Sequence, residues 1–164
     1  MKEGLAEDEP LGELLQEFVN RVSHLQGHTL AVLTEESVTL QQVLLLRRLQ
    51  QMGESTLSDL AARMRMSPPA VSQMIDRLFA FDLLTRVEAE EDRRRKKVSV
   101  TRKGQALLER IRRARAAEYA AGVAGLTSKV RADLLAVLRR ALKELPHESD
   151  AIAAALPAAQ SKAS

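Results

Sequence analysis

Residues 68–78 read Pro-Pro-Ala-Val-Ser-Gln-Met-Ile-Asp-Arg-Leu. Val71, Met74, Ile75 and Leu78 fall at helical spacing and predict one buried stripe. The other side of that helix carries Pro69, Ser72, Gln73, Asp76 and Arg77. Gln73 can pair in bidentate fashion with an adenine edge, Ser72 can bond a base or a phosphate, and a proline ring can meet a thymine methyl. Arg77 suits a phosphate. Further along stands a second chemical feature, Glu90-Glu91-Asp92-Arg93-Arg94-Arg95-Lys96-Lys97. Five consecutive cations repel one another, so stability does not account for the run. Against a duplex, each phosphate neutralised releases counterions, and an Arg is thin enough to enter a narrow minor groove. The helix face taken alone reads more readily as a solvated surface, whereas the cation run favours an anionic partner over a solvated turn.

The elements around these residues turn that ambiguity into a direction. Leu11, Leu14, Leu15, Phe18, Val19, Val22 and Leu25 predict a long amphipathic helix from residue 11 into the low thirties. Thr39 and Gln42 have the form of a capping box, and Leu40, Val43, Leu44, Leu46 and Leu49 follow on a second helix that Gly53 closes. Thr56 to Asp59 opens a short third helix through about Met64. Ser67 caps the fourth, with Pro68 and Pro69 in its first turn. The period then changes: 84–88 and 98–100 predict two strands joined by the charged tip. Thr101 caps a fifth helix whose end Gly122 and Gly125 bracket. Thr127 caps a sixth, with Val130, Leu134, Leu138 and Leu142 on one face and Pro146 closing it. Two short helices, a tight turn and a charged hairpin make a winged helix-turn-helix, in which the second helix of the pair enters the major groove.

Composition fits this order, α-α-α-α-β-β-α-α. The chain has 164 residues, a length that suits one domain. Three Phe and one Tyr, with no Trp, leave the core to aliphatic side chains, which favours packed helices. The absence of Cys excludes a disulfide scaffold, a thiolate zinc site and a thiol oxidant sensor. The net charge of +3 hides an asymmetry: residues 1–56 carry −5, 57–103 carry +4 and 104–164 carry +4. A basic middle points to an anionic partner, nucleic acid first. The acidic start is no signal peptide and no apolar run approaches a membrane span, so a soluble, cytoplasmic protein is expected. No Gly-rich phosphate loop, nucleophile elbow or triad-like set points to catalysis or to a cofactor.

From Leu60-Ala61 through Ser67–Leu78, Leu83-Leu84-Thr85-Arg86, Asp92-Arg93-Arg94 and Val98-Ser99-Val100-Thr101 with Gly104, the chain resembles the multiple-antibiotic-resistance-regulator (MarR) family of winged-helix transcription factors. The likeness covers roughly residues 11–145. It implies a homodimer in which the first, fifth and sixth helices of two subunits interlock. It implies a near-palindromic double-stranded DNA operator and repression relieved by a small organic effector. It also places Arg94 at the Asp-x-Arg position that reaches the minor groove, with Asp92 holding the tip. Residues 54–103 would form the DNA-binding lobe, 11–53 and 104–145 the helical dimerisation region, and 1–10 and 147–164 flexible tails.

The DNA-contacting set expected from residues and resemblance together is Arg65, Ser67, Pro69, Ser72, Gln73, Arg77, Asp92, Arg93, Arg94, Arg95 and Lys96. Arg65 and Asp82 stand where the family usually has Gly, so each is expected to adopt a left-handed backbone at a cost of about 1 kcal/mol. Phe79 and Phe81 stand where charge is usual, and either seal the wing to the body or help wall an effector crevice. His24 and His28, four apart on the first helix, are candidate effector-pocket polar groups. They offer too few ligands for a selective metal site, and the third histidine, His147, is far along the chain. The two rival readings are a metal-responsive regulator and a winged-helix module that binds only protein.

Overall fold

A computed structural model describes residues 3–23, 27–88 and 96–145. The order is α1 (Glu3–Ser23), α2 (His28–Glu35), α3 (Leu40–Met52), β1 (Ser55–Thr56), α4 (Leu57–Met64), α5 (Pro68–Ala80), β2 (Leu84–Glu88), β3 (Lys96–Val100), α6 (Arg102–Gly122) and α7 (Ser128–Glu144). The fold is mainly helical with a winged helix-turn-helix, as the sequence predicts, but two elements differ. The expected first helix is two helices, because Gly27 sits at φ +60°, where a right-handed helix cannot continue. The first of the two also starts earlier than expected, at Glu3, with Pro10 inside it. A short strand, β1, appears before α4 and completes a three-stranded antiparallel sheet in the order β1-β3-β2. Ser55 lies opposite Val98, and Leu84 opposite Val100. Two residues are too few to show a period-2 pattern, so β1 left no trace in the sequence.

Local capping follows the sequence closely. Thr39 with Gln42 and Thr56 with Asp59 both form reciprocal boxes, and Thr101 and Thr127 each accept from the backbone N–H three residues on. The start of α2 has no such signal. Gly27 offers no side chain, and the buried carboxylate of Glu118, on α6, takes over. Its Oε1 accepts from the Thr29 N–H at 2.7 Å and its Oε2 from Thr29 Oγ1 at 2.9 Å. At the other end of α2, the Arg110 guanidinium donates to Glu35 at 2.9 Å and also to Glu36. These contacts lash α2 to α6 at both ends.

The core joins α3, α4, α5, the sheet and α6. Leu45, Leu46, Leu49, Leu60, Val71, Leu78, Leu83 and Leu84 are all essentially sealed from solvent. Of the predicted α5 stripe, Val71, Ile75 and Leu78 are buried and Met74 is half-buried. In α3, Leu40 and Leu44 instead face outward. α1 to α6 belong to one compact unit ending at Gly125; α7 belongs to a second, beginning at Leu126. Along α7, Leu134 is half-buried, while Val130, Leu138 and Leu142 are exposed.

Two glycines permit close backbone approach. A Cβ on Gly122 would lie 2.6 Å from both the Cα and the carbonyl oxygen of Val22, so this residue is what lets α6 cross α1 tightly. Its role is therefore contact, beyond ending a helix. A Cβ on Gly104 would collide with the Leu83 carbonyl and with Val100. Backbone cannot swing aside as a side-chain tip can, so Gly104→Ala is expected to cost about 1–3 kcal/mol of unfolding free energy. Chemical denaturation of the variant beside the native chain measures it; an unchanged midpoint would mean that the junction yields freely.

Candidate nucleic-acid interface

α5 stands where a recognition helix would. Pro69, Gln73, Asp76 and Arg77 are exposed and Ser72 is half-buried, while the opposite stripe is in the core. Ser67 takes the N-cap position as expected, yet its hydroxyl makes no capping bond. The prolines explain why this is tolerated. Pro68 and Pro69 have no N–H, so the first turn has fewer donors to satisfy. The exposed Ser67 hydroxyl and the Ala70 N–H are left at the positive end of the helix dipole.

The turn between α4 and α5 bends through Arg65 at φ 52°, ψ 42°. The left-handed conformation lets Arg65 and Met66 return their N–H groups to Ala62 and Ala61. Asp82 does the same service after α5, at φ 57°. Both residues that replace glycine therefore adopt the strained backbone expected of them. Ser37, at φ 53°, is a third such residue and was not foreseen. The Arg65 side chain is exposed beside the start of α5.

Phe79 lies against the wing. The Arg86 guanidinium on β2 lies 5.0 Å from the Phe79 ring centroid and donates to Asp76 Oδ1 at 2.9 Å. Phe79 thus joins the recognition helix to the wing strand. Phe81 is half-buried and packs on the core. Behind them, the end of α5 is tied to the start of α6: Thr101 Oγ1 donates to the Asp82 carbonyl at 2.6 Å and Lys103 Nζ to the Phe81 carbonyl at 2.8 Å.

The remaining candidates fall differently. Asp92, Arg93, Arg94 and Arg95 lie outside the described residues, and Lys96 is described as the first residue of β3. His24 also lies outside them. His28 is exposed at the start of α2, directly after Gly27. Among the described residues there is no cluster of three or more His, Cys, Asp or Glu that could hold a metal, and no helix long and apolar enough to cross a membrane. The Asp76–Arg86–Phe79 contact was missed by sequence reasoning as a unit. The i,i+3 spacing of Asp76 and Phe79 was visible, but the approach of β2 was not.

Known proteins share this sequence pattern and this fold. The sequence model of the MarR family matches residues 38–96. An HTH-type transcriptional regulator of Bacillus subtilis, YhbI, is 33% identical over 109 residues, which is 66% of this chain and 68% of that protein. The HTH-type transcriptional repressor MdtR of the same organism is 31% identical over 105 residues, 64% of this chain and 68% of its own length. Among solved structures, the transcriptional regulator Tm0710 of Thermotoga maritima superposes with a TM-score of 0.72 at 22% identity, covering 82% of this chain and 93% of that one. At that identity the likeness is one of fold.

Relief of the backbone strain at the turn is measurable. Arg65→Gly should stabilise the fold by up to about 1 kcal/mol, since glycine enters the left-handed region without a Cβ penalty. Thermal unfolding would show the gain; a loss would mean that the arginine side chain contributes more to the fold than its backbone strain removes.

Proposed function

This chain belongs to the MarR family of transcriptional regulators, and from that premise we propose that it binds a near-palindromic duplex operator as a homodimer. The observation that carries the reading is the exposed face of α5, with Pro69, Gln73 and Arg77 pointing away from a sealed core stripe and the wing strands packed beside it. In this reading Gln73 reads an adenine edge, Ser72 bonds base or phosphate, and Ser67, Arg65 and Arg77 hold phosphates on either side. Arg94 enters the minor groove from the wing tip, with Asp92 positioning it and Arg93, Arg95 and Lys96 neutralising phosphate. Residues 54–103 act as the DNA-binding lobe, and the flanking helices as the dimerisation region.

Exposed apolar side chains support the homodimer. Leu11, Leu14, Leu15 and Val19 on α1 and Val130, Leu138 and Leu142 on α7 stand in solvent. Uncovered surface of that kind is an aggregation hazard, and a two-fold partner covers it. Pairing also spaces two recognition helices about one DNA turn apart, roughly 34 Å. Sedimentation at micromolar concentration should give twice the chain mass; a monomer there would refute the pairing.

The regulator acts as a repressor in this reading, as its relative MdtR is described, and a small organic effector releases it. With no cysteine, peroxide has only methionine to attack, which is slow and unselective. The effector must favour the DNA-incompetent form, since equal affinity for both forms shifts nothing. Genome-wide mapping of bound fragments tests the function as a whole, because it returns the operator and its neighbouring genes. On that operator, Gln73→Ala should cost about 1–3 kcal/mol and relax the preference at one base position, while binding to random duplex barely changes. An equal loss on both sequences would remove Gln73 from base reading.

A further inference from the structure

Asp76 places a negative charge on the face that, in the reading above, meets phosphates. It lies one turn beyond Gln73 on α5, is exposed, and ought to weaken DNA binding by simple repulsion. The chain meets that charge with Arg86. On β2, Arg86 follows the buried Leu84 by two residues, so it stands on the sheet face that packs toward α5. There it donates to Asp76 Oδ1 at 2.9 Å and lies 5.0 Å from the Phe79 ring centroid. Phe79 itself is 43% exposed.

Resting on the DNA-binding reading, we propose that Arg86 is a positioning residue, held by Asp76 and Phe79 so that the first wing strand keeps a fixed angle to the recognition helix. The ion pair is too exposed, at 47% and 60% of the two side chains, to contribute much to folding. Its consequence is geometric. The register Arg86–Val98 and Glu88–Lys96 passes any tilt of β2 directly to β3. Wing strands held at one angle to α5 meet the duplex in the same register in which Gln73 reads the major groove. Strands free to tilt must be ordered on DNA at an entropic cost.

Two opposite expectations separate this role from plain charge. If Asp76 only repels phosphate and Arg86 only attracts it, Asp76→Asn tightens operator binding, Arg86→Gln weakens it, and the double variant sums the two. If the three residues form a strut, both single variants weaken operator binding by about tenfold, the double variant is no worse than either, and Phe79→Leu weakens it less. The midpoint of thermal unfolding should stay close to that of the native chain throughout. Fluorescence anisotropy on the operator fragment gives the affinities. Tighter binding by Asp76→Asn, or additive losses in the double variant, would overturn the proposal. An arm without DNA decides the strut even if the native chain binds no duplex: amide hydrogen exchange in β2 and β3 of the free protein should quicken in Arg86→Gln and Asp76→Asn, while α5 exchanges as before. Unchanged protection in the wing strands would equally sink it.

Discussion

The functional unit hangs on one backbone junction, where the end of α5, the start of β2 and the start of α6 come within hydrogen-bond reach. Leu83 returns its N–H to Leu78 at 2.9 Å and offers its carbonyl to Thr101 at 3.1 Å. The Thr101 hydroxyl accepts from Gly104 at 3.0 Å while donating to Asp82. The C-terminal carbonyls of a helix need partners, and here the next helix supplies them. Only a residue without a Cβ fits at 104, because the Leu83 carbonyl fills that space. The recognition helix, the sheet and the long helix α6 thus share a fixed point, and each positions the others.

From that point outward the interactions become progressively more exposed. Leu83 and Leu84 are sealed in the core, Phe81 is half-buried, and Phe79 and Arg86 reach the surface. The gradient suits a recognition surface. Buried apolar contacts fix where α5 sits. Exposed polar groups at its rim contribute little to folding, so their chemistry is left to the partner. The two prolines at the start of α5 work in the same sense. By removing backbone donors they release Ser67 from capping, so its hydroxyl remains uncommitted at the helix start.

The second structural theme is the binding of α2 by α6. A helix of eight residues has little stability of its own. Glu118 takes the N–H and hydroxyl of Thr29 at one end, and Arg110 grips Glu35 and Glu36 at the other. The buried Glu118 carboxylate is acceptable because both of its oxygens have partners. α6 therefore connects the wing junction at Gly104 to the corner at Gly27, with Gly122 closing it onto α1.

What the sequence determined by itself was local or periodic. Thr39, Thr56, Thr101 and Thr127 announced their helices because capping is a contact over three residues. Val71, Ile75 and Leu78 announced the buried stripe because helical period is a property of one segment. Arg65 and Asp82 could be singled out as strained because a tight turn demands φ above zero whatever surrounds it. The tertiary structure alone decided the rest. The break at Gly27, within the stretch expected to be one helix, goes with a carboxylate from far along the chain: Glu118 accepts from Thr29, 89 residues away. β1 is recognisable only by pairing with β3. Phe79 acquired a role only when β2 brought Arg86 over its ring. In each case the interaction joins segments distant in the chain, and no pattern within either segment encodes the distance between them.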